Sequence, residues 1–105
     1  MIILAGDIGA TKTHLAVYRP ADSDLKRERD QIYPTQEFPS LEIVLGDFIE
    51  GQAITVACLG VPGPVTDGLA RPTNIAWEIR EESLSRTLDG ASTRLVNDLA
   101  ATAHG

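Results

Sequence analysis

Three apolar runs alternate along the chain with polar segments rich in turn-forming residues. They cover residues 2–5, 14–18 and 53–61. Because each run is apolar at successive positions, it is typical of a strand buried on both faces of a sheet. The connection between the first two runs is short, which predicts an antiparallel hairpin rather than a crossover.

The polar stretch that follows the second run contains Pro20 and Pro34, which we interpret as breaks. It predicts a loop and then an exposed third strand at the edge of the sheet. The many charges in this stretch are typical of a solvated face rather than of a binding patch.

A helix is predicted after Pro39, with Ser40 as its N-cap and Gly51 as its stop signal. Its apolar residues recur at i, i+3, i+4 and i+7 and form one stripe. They are Leu41, Val44, Leu45 and Phe48. With the strand over residues 53–61, this helix predicts a right-handed parallel crossover.

The last third of the chain begins with loop and hairpin signals, and Asp67-Gly68 is the expected turn. A short helix is predicted over residues 81–88, ending at Gly90. A final strand is predicted over 93–98, and a helix begins at 99. The pattern as a whole indicates a single α/β domain.

Composition restricts the classes of partner and the compartment. The chain has 105 residues, is 43% hydrophobic and carries a net charge of −6, which argues against nucleic-acid or anionic-membrane partners. Cys58 is the single cysteine, and its apolar surroundings predict a buried thiol. The apolar start is too short for a signal peptide, so we expect a cytoplasmic protein.

The first candidate site is the turn at residues 9–12, directly after the carboxylate Asp7. Successive backbone N–H groups in such a turn can bind an anion, and Thr11 and Lys12 add donors. Asp7 could hold a hydrated Mg²⁺. The alternative is an ordinary turn in which Asp7 caps its own loop.

Two further places combine loops with polar side chains. Neutral groups at Thr73 and Asn74 suit a polyol such as a sugar, whereas Trp77 is expected in the core and Arg71 on the surface. The second place is Asn97-Asp98, beyond a strand end where α/β proteins bind ligands. The alternative for Asp98 is an N-cap. His14 is expected to be packed rather than catalytic, and no role is assigned to His104.

Together, "LAGDIGATKTHLAV", "CLGVPGPVTDG…PTNIAWEI" and "LVNDLAATAHG" resemble the N-terminal domain of bacterial glucokinases, within the hexokinase, Hsp70 and actin-like ATPase superfamily. The resemblance implies a ribonuclease-H-like α/β fold: a mixed sheet with its first three strands antiparallel and helices on both faces. It also implies ATP-dependent phosphorylation of the 6-hydroxyl of D-glucose. A homodimer is compatible with it.

The resemblance also assigns roles to individual residues. The turn of Gly9, Ala10, Thr11 and Lys12 would contact the ATP phosphates, with Asp7 organising Mg²⁺ through water. Asn97 and Asp98 match the sugar-binding asparagine and the catalytic aspartate, and Asn74 matches a stretch near the sugar pocket. Ala10 replaces the second glycine of "GGT". If the backbone there needs a positive φ, alanine adds strain of about 1 kcal/mol.

The resemblance makes residues 1–105 the smaller N-terminal domain of a two-domain sugar kinase whose C-terminal domain is absent from this chain. The chain alone is then expected to be inactive. Two alternatives stay open: a kinase for a related hexose or N-acetylhexosamine, and a non-catalytic sugar-sensing relative. An actin-like or chaperone ATPase sharing only the phosphate hairpin is disfavoured by "LVND".

Overall fold

The computed structural model describes residues 1–97. In chain order, its elements are β1 (Ile3–Ile8), β2 (Lys12–Ala21), β3 (Asp24–Pro34), a 3₁₀ turn (Thr35–Glu37), α1 (Leu41–Ile49), β4 (Val56–Val61), β5 (Leu69–Ala70), β6 (Ile79–Arg80), α2 (Glu81–Thr87) and β7 (Ser92–Asn97). Five strands form one sheet in the order β3-β2-β1-β4-β7.

The sheet is mixed, as the resemblance implied. β1 pairs with β2 and β2 with β3 in antiparallel fashion, whereas β1–β4 and β4–β7 are parallel pairs. β3 lies at the edge, which confirms its predicted position. The three strands β1, β4 and β7 point the same way, so their carboxyl ends meet at one edge of the sheet.

The predicted break at Pro20 is wrong, because β2 continues through it to Ala21 and reaches β3 by a tight turn. Asp22 enters that turn with φ 56°, in the left-handed region that aspartate tolerates. The pairing of β1 with β2 starts only at Ile3–Tyr18. Pro20 therefore lies beyond the end of β1, and its missing N–H deprives no strand on that side of a partner.

The two helices that the sequence predicts within residues 1–97 are both present. The Ser40 hydroxyl caps α1 by accepting from the Ile43 N–H at 3.3 Å, and Glu50 and Gly51 leave the helix with φ 47° and 83°. The predicted apolar stripe of α1 is buried. The predicted helix over 81–88 corresponds to α2, after which Gly90 adopts φ 94°.

One face of the sheet carries the core, to which α1 and α2 both contribute while touching each other. The expectation of helices on both faces rests on the helix predicted from residue 99, which lies outside the described residues. The prediction of a buried thiol is wrong, because Cys58 is exposed. It lies opposite Ala5 and Arg94 on the face that α1 and α2 leave uncovered.

The segment between β4 and α2 forms a small second sheet, in which β5 and β6 pair antiparallel. The predicted Asp67-Gly68 turn is confirmed: Thr66 and Leu69 exchange both backbone hydrogen bonds at 3.0 Å. Within residues 1–97, no helix has the length and apolar character that crossing a bilayer requires.

Candidate active site

The turn between β1 and β2 is closed by a short backbone contact. The Gly9 N–H donates to the Lys12 carbonyl at 2.9 Å. A Cβ at position 9 would lie only 2.8 Å from that carbonyl oxygen, so the turn has no room for a side chain there. Thr11 and Lys12 are exposed at its tip. The turn predicted from the sequence is therefore present, and steric hindrance explains why a glycine occupies position 9.

Ala10 occupies this turn without backbone strain. The non-glycine residues with positive φ in the described chain are Asp22, Glu50, Asp67 and Asp89. Ala10 is not among them, and its methyl group packs against the core. Glycine is favoured over alanine only where φ is positive, so the backbone at position 10 does not require glycine. The strain considered for Ala10 is therefore absent.

Asp7 is exposed near the carboxyl end of β1, opposite His14 on β2 and Gly60 on β4. It borders a shallow pocket of about 200 Å³ on the face of the sheet that α1 and α2 leave uncovered. The pocket is lined by Ala5, Gly6, Asp7, His14, Ala16 and Tyr18. The carboxylate thus lies beside the turn and is accessible to a ligand from that face.

His14 is half-buried and bonded rather than packed in the core. Its Nε2 lies 2.7 Å from Asp30 Oδ2 on β3, and the Arg27 guanidinium lies 3.9 Å from the same oxygen. The hydrogen bond with His14 and the nearby Arg27 charge lower the pKa of Asp30. This cluster links β2 to β3 beside Asp7.

The 3₁₀ turn (Thr35–Glu37) is hydrogen-bonded to the turn at residues 9–12. The Thr35 hydroxyl donates to the Gly9 carbonyl at 2.8 Å, and the Thr35 N–H donates to the Thr11 carbonyl at 3.0 Å. Because that hydroxyl has a single proton, the Thr13 hydroxyl, 2.8 Å away, must be the donor in their mutual bond. Thr13 and Thr35 are the buried polar residues of the described core.

Gln36 connects the turn to the segment expected near a sugar. Its Nε2 donates to the Ala10 carbonyl at 2.8 Å and to the Asn74 carbonyl at 3.2 Å. Thr35 and Gln36 were missed from the sequence, where they lie in a stretch interpreted as loop and edge strand. The available signal was topological, because an antiparallel β3 returns the chain to the same edge as the turn.

The loop between β5 and β6 carries Asn74 and Trp77. Trp77 is buried, and its Nε1 donates to the Phe38 carbonyl at 2.8 Å, which confirms its expected place in the core. Asn74 is exposed. Arg71 is exposed as expected and forms an ion pair with Glu78 at 2.9 Å.

Asn97 ends β7 and lies opposite Val61, the last residue of β4. It is half-buried. The structure therefore brings Asp7, the residue 9–12 turn and Asn97 to one edge of the sheet, where α/β folds bind ligands. Asp98 and His104 lie outside the described residues.

The side chains at this edge fit a phosphate group with Mg²⁺. Asp7 offers hard carboxylate oxygens, Thr11 a hydroxyl and Lys12 an ammonium, all exposed. No group of three or more His, Cys, Asp or Glu residues in the range 1–97 could hold a metal ion by itself. This donor set suits Mg²⁺, which keeps several waters and is bound through one or two carboxylates together with phosphate oxygens.

The glucokinase family model matches residues 4–105 of the chain. The chain belongs to the glucokinase family. It is 33% identical over 108 residues to a glucokinase of Nostoc punctiforme and 36% identical over 115 residues to one of Synechocystis. These matches cover 99% and 97% of the chain but 32% of each relative, so the chain spans about a third of their length.

Solved structures of several sugar kinases share the fold of the chain. A glucokinase from an Antarctic psychrotroph superimposes with a TM-score of 0.83 at 26% identity, over 98% of the chain and 34% of that protein. A ROK family glucokinase from Streptomyces griseus, in complex with glucose and AMPPNP, gives 0.68 at 23% identity over 98% and 35%. A glucose-bound hexokinase from Schistosoma mansoni gives 0.58. The actin-like ATPase fold implied by the resemblance is thereby confirmed.

Proposed function

We propose that this chain forms the smaller domain of a glucokinase, which transfers the γ-phosphoryl group of ATP to the 6-hydroxyl of D-glucose. One observation carries the proposal: the carboxylate Asp7, the tight turn after it and Asn97 converge at one edge of the sheet. The family membership supports it, as do the glucose and AMPPNP bound in the Streptomyces relative.

The residues at this edge have complementary roles in the proposed reaction. The turn and Lys12 bind the phosphates of ATP. Asp7 would hold a hydrated Mg²⁺, whose charge would neutralise the phosphates. Asn97 and Asn74 bind and orient the sugar. Phosphoryl transfer depends mainly on positioning and on charge neutralisation, so residues that only bind and orient contribute directly to rate.

Asp98 is the proposed general base, by its match to the catalytic aspartate of the family. It accepts the proton of the 6-hydroxyl as that oxygen attacks the γ-phosphorus. A carboxylate suits this role because it is ionised at neutral pH and can take the proton as the new P–O bond forms. The acidic net charge and the use of ATP fit a cytoplasmic enzyme, whereas a homodimer stays a prediction.

The test is Asp98→Asn in the full-length protein that contains this chain. The amide keeps the size of the side chain and its hydrogen bond to the sugar, but it cannot accept the proton. We expect glucose binding close to normal and kcat reduced by about 10²–10⁴-fold, the usual contribution of a general base. A coupled assay of glucose 6-phosphate measures kcat.

An N-cap role for Asp98 predicts a different outcome. Asparagine caps a helix about as well as aspartate, so both melting temperature and kcat would then be nearly unchanged. A loss of kcat below about threefold, with folding intact, would remove Asp98 as the base. A wild-type protein that phosphorylates mannose or N-acetylmannosamine but not glucose would overturn the substrate assignment.

A further inference from the structure

The side chain of Gln36 bonds to both halves of the candidate site. A single Nε2 group donates to the Ala10 carbonyl at 2.8 Å and to the Asn74 carbonyl at 3.2 Å. Ala10 belongs to the residue 9–12 turn, here called the phosphate turn. Asn74 belongs to residues 73–77, here called the sugar loop. The two segments are more than sixty residues apart in the chain, and one amide links them.

Other contacts of the same segment reach only one of the two. Thr35 bonds to the carbonyls of Gly9 and Thr11 and so fixes the phosphate turn alone. The Phe38 carbonyl accepts from Trp77 Nε1 and so fixes the sugar loop alone. Each segment is thus anchored independently of Gln36, and each should keep its own fold without it.

We infer that Gln36 is a positioning residue, which sets the distance between the bound phosphates and the bound sugar. The inference rests on the proposed function, because it gives meaning to that distance. In-line transfer requires the 6-hydroxyl and the γ-phosphorus to meet in a defined geometry, and a displacement of about 1 Å can cost on the order of 10²-fold in rate. Gln36 touches neither substrate in this account and acts through the two backbone carbonyls.

Exposure of Gln36 makes the inference testable without unfolding the protein. The side chain is exposed, so changing it leaves no cavity and no buried group without a partner. Gln36→Met keeps its length and removes the donor. Gln36→Glu keeps its shape and replaces the donor by a negatively charged acceptor, which repels both carbonyl oxygens.

The kinetic experiment compares these variants in the full-length protein that contains the chain. We expect kcat to fall by about tenfold in Gln36→Met and by at least as much in Gln36→Glu. The tenfold loss is smaller than the cost of about 10²-fold for a full displacement of the substrates, because both hydrogen bonds of Gln36 are exposed. The KM values for glucose and for ATP should each stay within about threefold, since the separate binding segments remain anchored. The matched control is Gln31→Met, which removes an exposed glutamine of β3, the strand that precedes the 3₁₀ turn, and should leave kcat unchanged.

A second measurement does not depend on activity. Hydrogen exchange, followed residue by residue in the same variants, should become faster at the backbone amides of the sugar loop around Asn74 and of Ala10, while the Thr13 amide and the Trp77 indole N–H keep their protection. Unchanged exchange at both segments, or an unchanged kcat in both variants, would overturn the positioning role. If the wild type phosphorylates no hexose, the proposed function fails, and unchanged or faster exchange still decides whether Gln36 holds the two segments.

Discussion

Single residues of the phosphate turn respond to different constraints. A methyl group at Gly9 would collide with the Lys12 carbonyl oxygen at 2.8 Å, whereas Ala10 already carries one that packs against the core. We expect Gly9→Ala to lower the free energy of unfolding by about 1–3 kcal/mol, as forced overpacking does. Urea unfolding of the chain measures this loss.

The reverse change at the neighbouring position gives the matched comparison. If Ala10 were strained, Ala10→Gly would stabilise the fold. Because its φ is not positive, we expect a loss of about 0.4–1 kcal/mol, since glycine increases the entropy of the unfolded chain. A gain in stability from Ala10→Gly would show that the turn conformation described here is wrong.

Tyr33 makes the stability of the fold depend on pH in the alkaline range. Its hydroxyl donates to Asp47 Oδ2 at 2.8 Å, and its burial, with that hydrogen bond, raises the pKa of Tyr33 from 10.0 to about 12. The folded state therefore favours the neutral phenol. The resulting stabilisation is complete below pH 10 and is lost as the pH rises from 10 to about 12, because the unfolded chain ionises first.

Comparison with Tyr33→Phe isolates this effect from other titrations. At pH 9 the wild type should be more stable by about 1 kcal/mol, the usual net value of one hydrogen bond. That advantage should shrink as the pH rises above 10 and should reverse in sign before about pH 12, because the tyrosine of the unfolded chain ionises over this range and phenylalanine cannot. Equal pH dependence of the two proteins in urea unfolding would rule out a raised pKa at Tyr33.

At the scale of elements, α1 contains a glycine that its environment does not require. Gly46 is exposed within the helix, and a Cβ there would meet nothing within 4 Å. We expect Gly46→Ala to raise the free energy of unfolding by about 0.5–1 kcal/mol, since glycine is a poor residue for a helix interior.

Gly51 provides the control, because its surroundings are equally open but its φ is 83°. Alanine there adopts a conformation that L-residues disfavour by about 1–2 kcal/mol, so Gly51→Ala should destabilise. The same substitution is thus expected to have opposite signs within and after one helix. Thermal unfolding of both variants tests this, and a loss in Gly46→Ala would contradict it.

The elements could be predicted wherever hydrophobic period and caps agreed. Ser40 and the apolar stripe predicted the bounds of α1 almost to the residue. Asp67-Gly68 likewise predicted the tight turn between Thr66 and Leu69. The prediction failed at Pro20, where the cost of proline depends on whether a neighbouring strand reaches that position. It failed again at Cys58, because an apolar run does not reveal which face other elements cover.

At the scale of the molecule, the sequence indicated which polar residues would meet but not what holds them. Asp7, the phosphate turn and Asn97 were predictable because strand ends share an edge in this fold. The antiparallel return of β3 indicates that Thr35 and Gln36 come back to that edge, but it does not indicate which backbone carbonyls they contact. Long-range side chain to backbone bonds leave no periodic signal in a sequence.

The last prediction concerns the 105-residue chain by itself. It spans about a third of the length of its relatives, and the candidate site residues Asp7, Thr11, Lys12 and Asn74 are exposed. Phosphoryl transfer to a sugar rather than to water needs a closed site that excludes solvent. We therefore expect the isolated chain to have less than about 1% of the turnover of the full-length protein, for which about 10 s⁻¹ is typical of enzymes.

A coupled glucose 6-phosphate assay on both proteins measures the ratio. Far-ultraviolet circular dichroism of the isolated chain must show a cooperative unfolding transition, so that inactivity cannot be ascribed to a disordered chain. Adding the separately produced remainder of the full-length protein should restore turnover if the missing part supplies the rest of the cleft. Turnover by the isolated chain within tenfold of the full-length protein would mean that the described edge of the sheet is a sufficient active site.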